Sequence, residues 1–166
     1  MTHGHESPPT PGAPFDPKEI VANPPARVDD HTENEAAICD LICSWARSVR
    51  RRDMAGILAC HSPEILMFDV PLPFLSRGIK AYEATWDLFF AESNFCGVFE
   101  IESLEISAGE TVAFAAAVMR CGTPDKDGPN GQLQFRLPVG VRTIAGKWTV
   151  VHEHHSVPAA SECAQA

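Results

Sequence analysis

The chain has 166 residues, 45% of them hydrophobic, and 22 acidic against 13 basic side chains give it a net charge of −9. Such a length and composition hold one domain with one core, and the acidic balance argues against nucleic acid or an anionic membrane as partner. The longest apolar runs, such as VAFAAAVM at 112–119, fall far short of the roughly 20 residues that span a bilayer.

The first residues, MTHGHESPPTPGAPFDP, show no cationic stretch followed by an apolar one, so no signal peptide is expected. Residues 1–30 hold seven of the fourteen prolines and few large apolar side chains, which reads as a disordered or strap-like arm. The folded body is expected over 31–158, with a loose tail over 159–166. Six cysteines are present without any CxxC pair. Reduced thiols acting as small hydrophobes, in a cytoplasmic protein, fit that spacing better than a disulfide set.

Within the body, Thr32 and Glu35 in TENE form a capping box that opens a helix. Ile38, Leu41, Ile42, Trp45 and Val49 then recur at helical spacing as far as Arg51. The cluster Arg47, Arg50, Arg51 and Arg52 closes that helix, where cations complement the helix dipole. Asp53 can cap a short second helix, MAGILAC, ahead of a turn at HSPE. ILMFDV at 65–70 is a short apolar strand, followed by a proline-stiffened loop. Ile79, Tyr82, Trp86, Phe89 and Phe90 trace one face of a third helix. Strands are expected over 98–106, 111–121, 132–144 and 147–156, with tight hairpins at SAGE and AG and a longer polar connection at GTPDKDGPNG. This order gives an α+β fold, with helices covering one face of a curved antiparallel sheet.

Chemistry concentrates at a few positions. Asp69 ends the apolar run, on the strand face opposite Phe68 and Val70. Burial there would raise its pKa and make it a proton carrier; alternatively, it caps the loop by accepting backbone N–H bonds. HEHHS at 152–156 is not HExxH, because residue 156 is Ser156. On a strand His152 and His154 share one face, and Glu153 and His155 the other. Two histidines on one face are too few for a metal site without ligands from elsewhere, and neither metal nor cofactor is expected. Arg120, Arg136 and Arg142 lie in apolar strands, so each should meet a carboxylate or an anion; one option is an Arg136–Asp69 pair. Trp45, Tyr82 and Trp86 can line a pocket between helices and sheet or serve as core.

The segments DMAGILACHSPEILMFDVPLPFLSRGIKAYEATW, RCG and AGKWTVVHEHHSVP together resemble the SnoaL-like, ketosteroid-isomerase-like branch of the nuclear transport factor 2 superfamily. The resemblance covers about residues 31–158. It implies a cone-like, strongly bent sheet with three N-terminal helices around a pocket, forming a homodimer through the outer face of the sheet. In ketosteroid isomerases an acid at the end of the first strand, followed by a proline-rich loop and RSG, moves a proton between carbons. Asp69 in DVPLPFLSRG falls at that position. The isomerase oxyanion donors, a first-helix Tyr and a later-strand Asp, correspond here to Trp45 and Gly140.

If Gly140 faces the cavity, Arg136 and Pro138 face it too, which suggests a polar or anionic ligand. The isomerase alignment turns Glu153 and His155 inward, whereas the SnoaL-like resemblance draws attention to His152 and His154. The expected function is a cofactor-free isomerase, cyclase or related lyase acting on a small carbonyl compound with Asp69 as general base. Trp45, Tyr82, Trp86, Arg120, Arg136, His152, His154 and His155 are the candidate pocket residues. The alternative is a non-catalytic ligand-binding or dimerisation module of the same fold.

Overall fold

The computed structural model describes residues 32–70, 73–92, 98–122 and 132–158. The arm expected over 1–30, the tail over 159–166 and nearly all of GTPDKDGPNG lie outside them. Helix α1 spans Thr32–Arg51 and buries Ile38, Leu41, Ile42, Trp45, Ala46 and Val49, the stripe that its periodicity demands. It ends in paired backbone bonds, Asp53 N to Ser48 O at 2.9 Å and Arg52 N to Val49 O at 3.0 Å, the Schellman pattern. Arg52 stands at φ +54°, where glycine is usual; its guanidinium lies over the Phe90 ring, 5.6 Å from the centroid. Arg50 donates to the Phe99 carbonyl at 2.7 Å. Two of the clustered arginines therefore tie the end of α1 to neighbouring elements. Asp53 caps α2 (Met54–Leu58) by accepting from Gly56 N at 3.1 Å.

Strand β1 spans His61–Phe68, and β2 is the short Leu75–Arg77. The HSPE segment, expected as a turn, instead opens β1, and β2 lies in what read as loop. Pro63 does not break β1, because the register with its neighbour shifts between His61 and Leu66. Helix α3 (Ile79–Glu92) follows, and then come β3 (Val98–Ala108), β4 (Val112–Gly122), β5 (Gln132–Ile144) and β6 (Lys147–His154). The sheet order is β2-β1-β6-β5-β4-β3. All neighbours are antiparallel except β1 and β6, which run parallel. That parallel pair could not be read from the order of elements alone. The β5–β6 hairpin turns through Ala145 at φ +49° and Gly146 at φ +76°, two left-handed residues as a tight primed turn requires.

The fold is α+β: a strongly curved six-stranded sheet with the helices against its concave face. Curvature follows from register shifts at Ile101/Ser103 in β3 and between β5 and β6 at Gly140/Val141. Alternation on β4 and β5 buries Ala113, Ala115, Ala117, Met119 and Cys121, and Phe135, Leu137, Val139 and Val141. Against these pack Trp45, Tyr82, Trp86 and Phe99, with edge-on ring contacts of 5.3–6.2 Å. Among the described residues no helix is long and apolar enough to cross a membrane.

Candidate functional site

Helix α3 and the sheet do not close completely. A cavity of about 390 Å³ remains between them, within the size range of small-molecule sites. Its wall is mainly apolar, with Met67, Trp86, Phe89, Phe99 and Phe135 prominent, and Asp69 and His155 supply its ionisable carboxylate and imidazole. The parallel β1–β6 ladder brings those two together. Phe68 pairs with His154, and the next residues on each strand turn to the same, inner side. Backbone bonds hold both: His155 N to Phe68 O at 2.9 Å, and Asp69 N to Phe74 O at 3.2 Å.

Asp69 is about a fifth exposed, with a side-chain exposure of 19%, and its Oδ1 lies 3.3 Å from His155 Nδ1. The same oxygen accepts from Val70 N at 2.8 Å. Among the described residues, Oδ2 has no protein partner. One oxygen thus braces the loop, as the capping reading expects, and among the described residues the other meets no protein group.

Behind the cavity floor lies Glu153, 2% exposed. Its Oε1 lies 2.7 Å from His61 Nε2, and the Tyr82 hydroxyl donates to it at 3.0 Å. Trp45 Nε1 donates in turn to the Tyr82 hydroxyl at 3.1 Å. The other carboxylate oxygen, Oε2, lies 3.4 Å from His155 Nε2, an ion-pair separation without the alignment of a hydrogen bond. Burial alone would raise the Glu153 pKa, but His155 and His61 outweigh it and bring it down to about 2. Burial would likewise lower that of His155, yet Asp69 and Glu153 raise it to about 9. Burial, then the Glu153 charge, hold the Tyr82 hydroxyl well above its usual pKa, so it remains a donor.

Of the residues singled out from sequence, Asp69, Trp86 and His155 line the cavity. Trp45 and Tyr82 sit behind it as buried hydrogen-bonding core. Four others do not line it. Arg136 is on the outer face, since Phe135 and Leu137 take the inner positions of β5, and the Arg136–Asp69 pair does not form. Arg120 points to the outer face and pairs with Glu100 and Glu102. His152 contacts the Leu66 carbonyl through Nδ1 at 3.0 Å, and both His152 and His154 pack edge-on to Phe68. Gly140 also faces outward, where an added Cβ would meet the His152 Cβ at 3.2 Å.

His61 was not among the candidates, although it shares strand parity with Ile65, Met67 and Asp69; Pro63 disguised that strand as a turn. Among the described residues no group of three or more His, Cys, Asp or Glu is placed to hold a metal ion.

Comparison with known proteins agrees with this architecture. None of the curated proteins compared matches the chain. Among solved structures, an NTF2-like protein of unknown function from Pseudomonas putida KT2440 is 34% identical, over 81% of this chain and 94% of that one, with a TM-score of 0.74. A protein described as a candidate scytalone dehydratase, from Novosphingobium aromaticivorans DSM 12444, is 19% identical over 81% and 95% of the two chains, with a TM-score of 0.63. A calcium/calmodulin-dependent protein kinase II association domain candidate from Xanthomonas campestris is 17% identical over 79% and 90%, with a TM-score of 0.61. The last two likenesses concern the fold alone. The SnoaL-like domain model matches residues 38–160, and the chain therefore belongs to the SnoaL-like family.

Proposed function

We propose that the protein is a cofactor-free acid–base enzyme of isomerase, cyclase or dehydratase type, acting on a small, neutral, mainly apolar molecule that carries a carbonyl. The observation that carries this reading is the Asp69–His155 pair at the polar end of an otherwise apolar cavity. Asp69 Oδ2 takes the proton from a carbon next to the carbonyl. The C–H electrons move into the new C=C bond and onto the carbonyl oxygen. The positive charge of the His155 ring stabilises that oxygen electrostatically, and Asp69 returns its proton to another carbon. Trp86, Phe89, Phe99 and Phe135 supply flat apolar walls for the rest of the molecule.

A second reading, a non-catalytic binding module, draws support from the same ion pair, because a carboxylate already paired with an imidazolium is less free to act as base. A homodimer through the outer face of the sheet, where Val112 and Phe114 are 64% and 53% exposed, is part of either reading. So is a reducing, cytoplasmic setting, which suits the free thiols of Cys39, Cys43, Cys60 and Cys121.

The test uses a panel of enolisable cyclic ketones and their carboxylate-bearing analogues. Binding is followed by Trp fluorescence, and exchange of the α-proton for deuterium by NMR. The wild type should bind neutral members better than anionic ones and catalyse exchange. Asp69→Asn should bind the same ketones but exchange them about 10²-fold or more slowly. Equal exchange by Asp69→Asn would overturn the assignment of the base, and binding without exchange by the wild type would establish the binding module.

A further inference from the structure

Glu153 does not line the cavity, yet it is the most deeply buried carboxylate among the described residues, 2% exposed. An ionised carboxylate in such a place is costly unless every oxygen is answered. We propose that Glu153 is the positioning residue of the Asp69–His155 site, fixing both the charge and the aim of the imidazole. This rests on the reading of that pair as the working end of the cavity.

The geometry carries it in three steps. First, an ionised carboxylate only accepts hydrogen bonds, so His61 presents Nε2–H at 2.7 Å and Tyr82 presents O–H at 3.0 Å. The indole N–H of Trp45 fills the acceptor side of the Tyr82 hydroxyl, so that chain of donors runs one way, toward Glu153. Second, the closest of these contacts fall on Oε1, while Oε2 receives a longer bond from the Tyr82 hydroxyl at 3.2 Å and faces His155 Nε2 at 3.4 Å. Third, His155 thereby stands between two carboxylates, with Asp69 Oδ1 3.3 Å from its other nitrogen. A carboxylate charge within 3.4 Å of each ring nitrogen favours the doubly protonated imidazolium over either neutral tautomer. Without the Glu153 charge a neutral ring with Nδ1–H would satisfy Asp69 alone.

The groups around His155 on every side are few. Asp69 faces it from the end of β1 and Glu153 from β6, with His61 and Tyr82 behind Glu153. Trp86 of α3 and Phe135 of β5 pack against its ring, with centroids 6.5 and 5.4 Å away, and Cys121 of β4 shares the cavity. No Lys or Arg is among the cavity-lining residues described. The two carboxylates therefore decide the protonation of His155, and Glu153 is the one a substrate does not touch.

The experiment is a histidine-labelled NMR titration of the full chain. The His155 signal is assigned among the seven histidines as the one missing in His155→Gln. Wild type should keep His155 protonated at pH 7.5. In Glu153→Gln, which preserves shape and removes charge, the His155 midpoint should fall by about one pH unit or more, with the Nδ1–H tautomer above it. An unchanged midpoint, or a neutral His155 in the wild type at pH 7, overturns the proposal.

Should Glu153→Gln not fold, Tyr82→Phe serves instead. It removes a donor and leaves the charge, so the His155 midpoint should hold or rise, and a fall overturns the proposal. The two readings fail separately. A shifted His155 together with Asp69-independent exchange sinks the catalytic reading alone, whereas Asp69-dependent exchange with an unmoved His155 sinks this one alone.

Discussion

Tyr82→Phe isolates one atom of the buried network, and its cost follows from the contacts that atom makes. The hydroxyl donates to Glu153, 3.0 and 3.2 Å from its two oxygens, accepts from Trp45 Nε1 at 3.1 Å and lies 3.1 Å from His61 Nε2, and Tyr82 itself is fully buried. A hydrogen bond to a charged group contributes about 1.5–3 kcal/mol, and a buried donor left without its acceptor costs about 1–3 kcal/mol. Removing the hydroxyl also spares its own desolvation, so the two terms do not add in full. A net loss of about 2–4 kcal/mol is expected, read from urea unfolding at pH 6 with the denaturant slope unchanged. Trp45→Phe in both backgrounds closes a double-mutant cycle. The Trp45 change should cost less once the hydroxyl is gone, because its indole N–H then has nothing to lose. A loss below about 1 kcal/mol for Tyr82→Phe, or strictly additive costs in the cycle, would refute the picture of a one-directional donor chain ending on Glu153.

Two further expectations concern pH and assembly. Glu153 is lowered from 4.5 to about 2, so its contribution is present above 4.5 and is lost as pH falls through 2. His155 is raised from 6.5 to about 9, so its contribution is complete below 6.5 and is lost as pH rises through 9. With these two groups, stability should be greatest between about pH 4.5 and 6.5, as urea midpoints across pH will show; a maximum near pH 9 would contradict both assignments. On the outer face, Phe114→Glu should turn a dimer into a monomer in sedimentation velocity while leaving the circular dichroism unchanged. A wild type that sediments as a monomer at all concentrations would remove the proposed interface.

The helices were legible because their apolar stripes repeat at helical spacing and their caps are local. Asp53 caps α2 as its position implies, and Ile38 to Val49 form the buried face of α1. The cavity-facing side of β4 and β5 follows plain alternation, and an alignment that makes Gly140 a cavity position puts Arg136 on that side as well. The buried set Phe135, Leu137, Val139 and Val141 has the opposite parity. The last strand was ambiguous for a physical reason. The register against β5 shifts between Gly140 and Val141, so that Val150 and Glu153, three residues apart, both turn inward. No count of alternate residues reveals such a bulge. The contact between Asp69 and His155 was equally hidden, since it depends on the parallel pairing of β1 with β6, a long-range choice.

That none of the strand arginines Arg120, Arg136 and Arg142 lines the cavity bears directly on what the site can accept. An arginine inside would have offered an anionic group its partner, as the sequence suggested. Instead, among the described residues, the charged groups lining the cavity are Asp69 and His155, whose charges oppose each other, with the Glu153 charge behind them. An anionic group placed about 4 Å from Asp69 would meet a repulsion of about 4 kcal/mol at an effective dielectric of 20, partly offset by His155. A cation would meet the mirror difficulty at His155. A neutral carbonyl meets neither: in the proposed reaction its oxygen lies against the imidazolium charge while its neighbouring carbon faces Asp69. In the proposed function, the opposed charges that make Asp69 look like a structural ion pair would also favour uncharged molecules over ions, the substrates whose proton transfer between carbons calls for a base beside a positive charge.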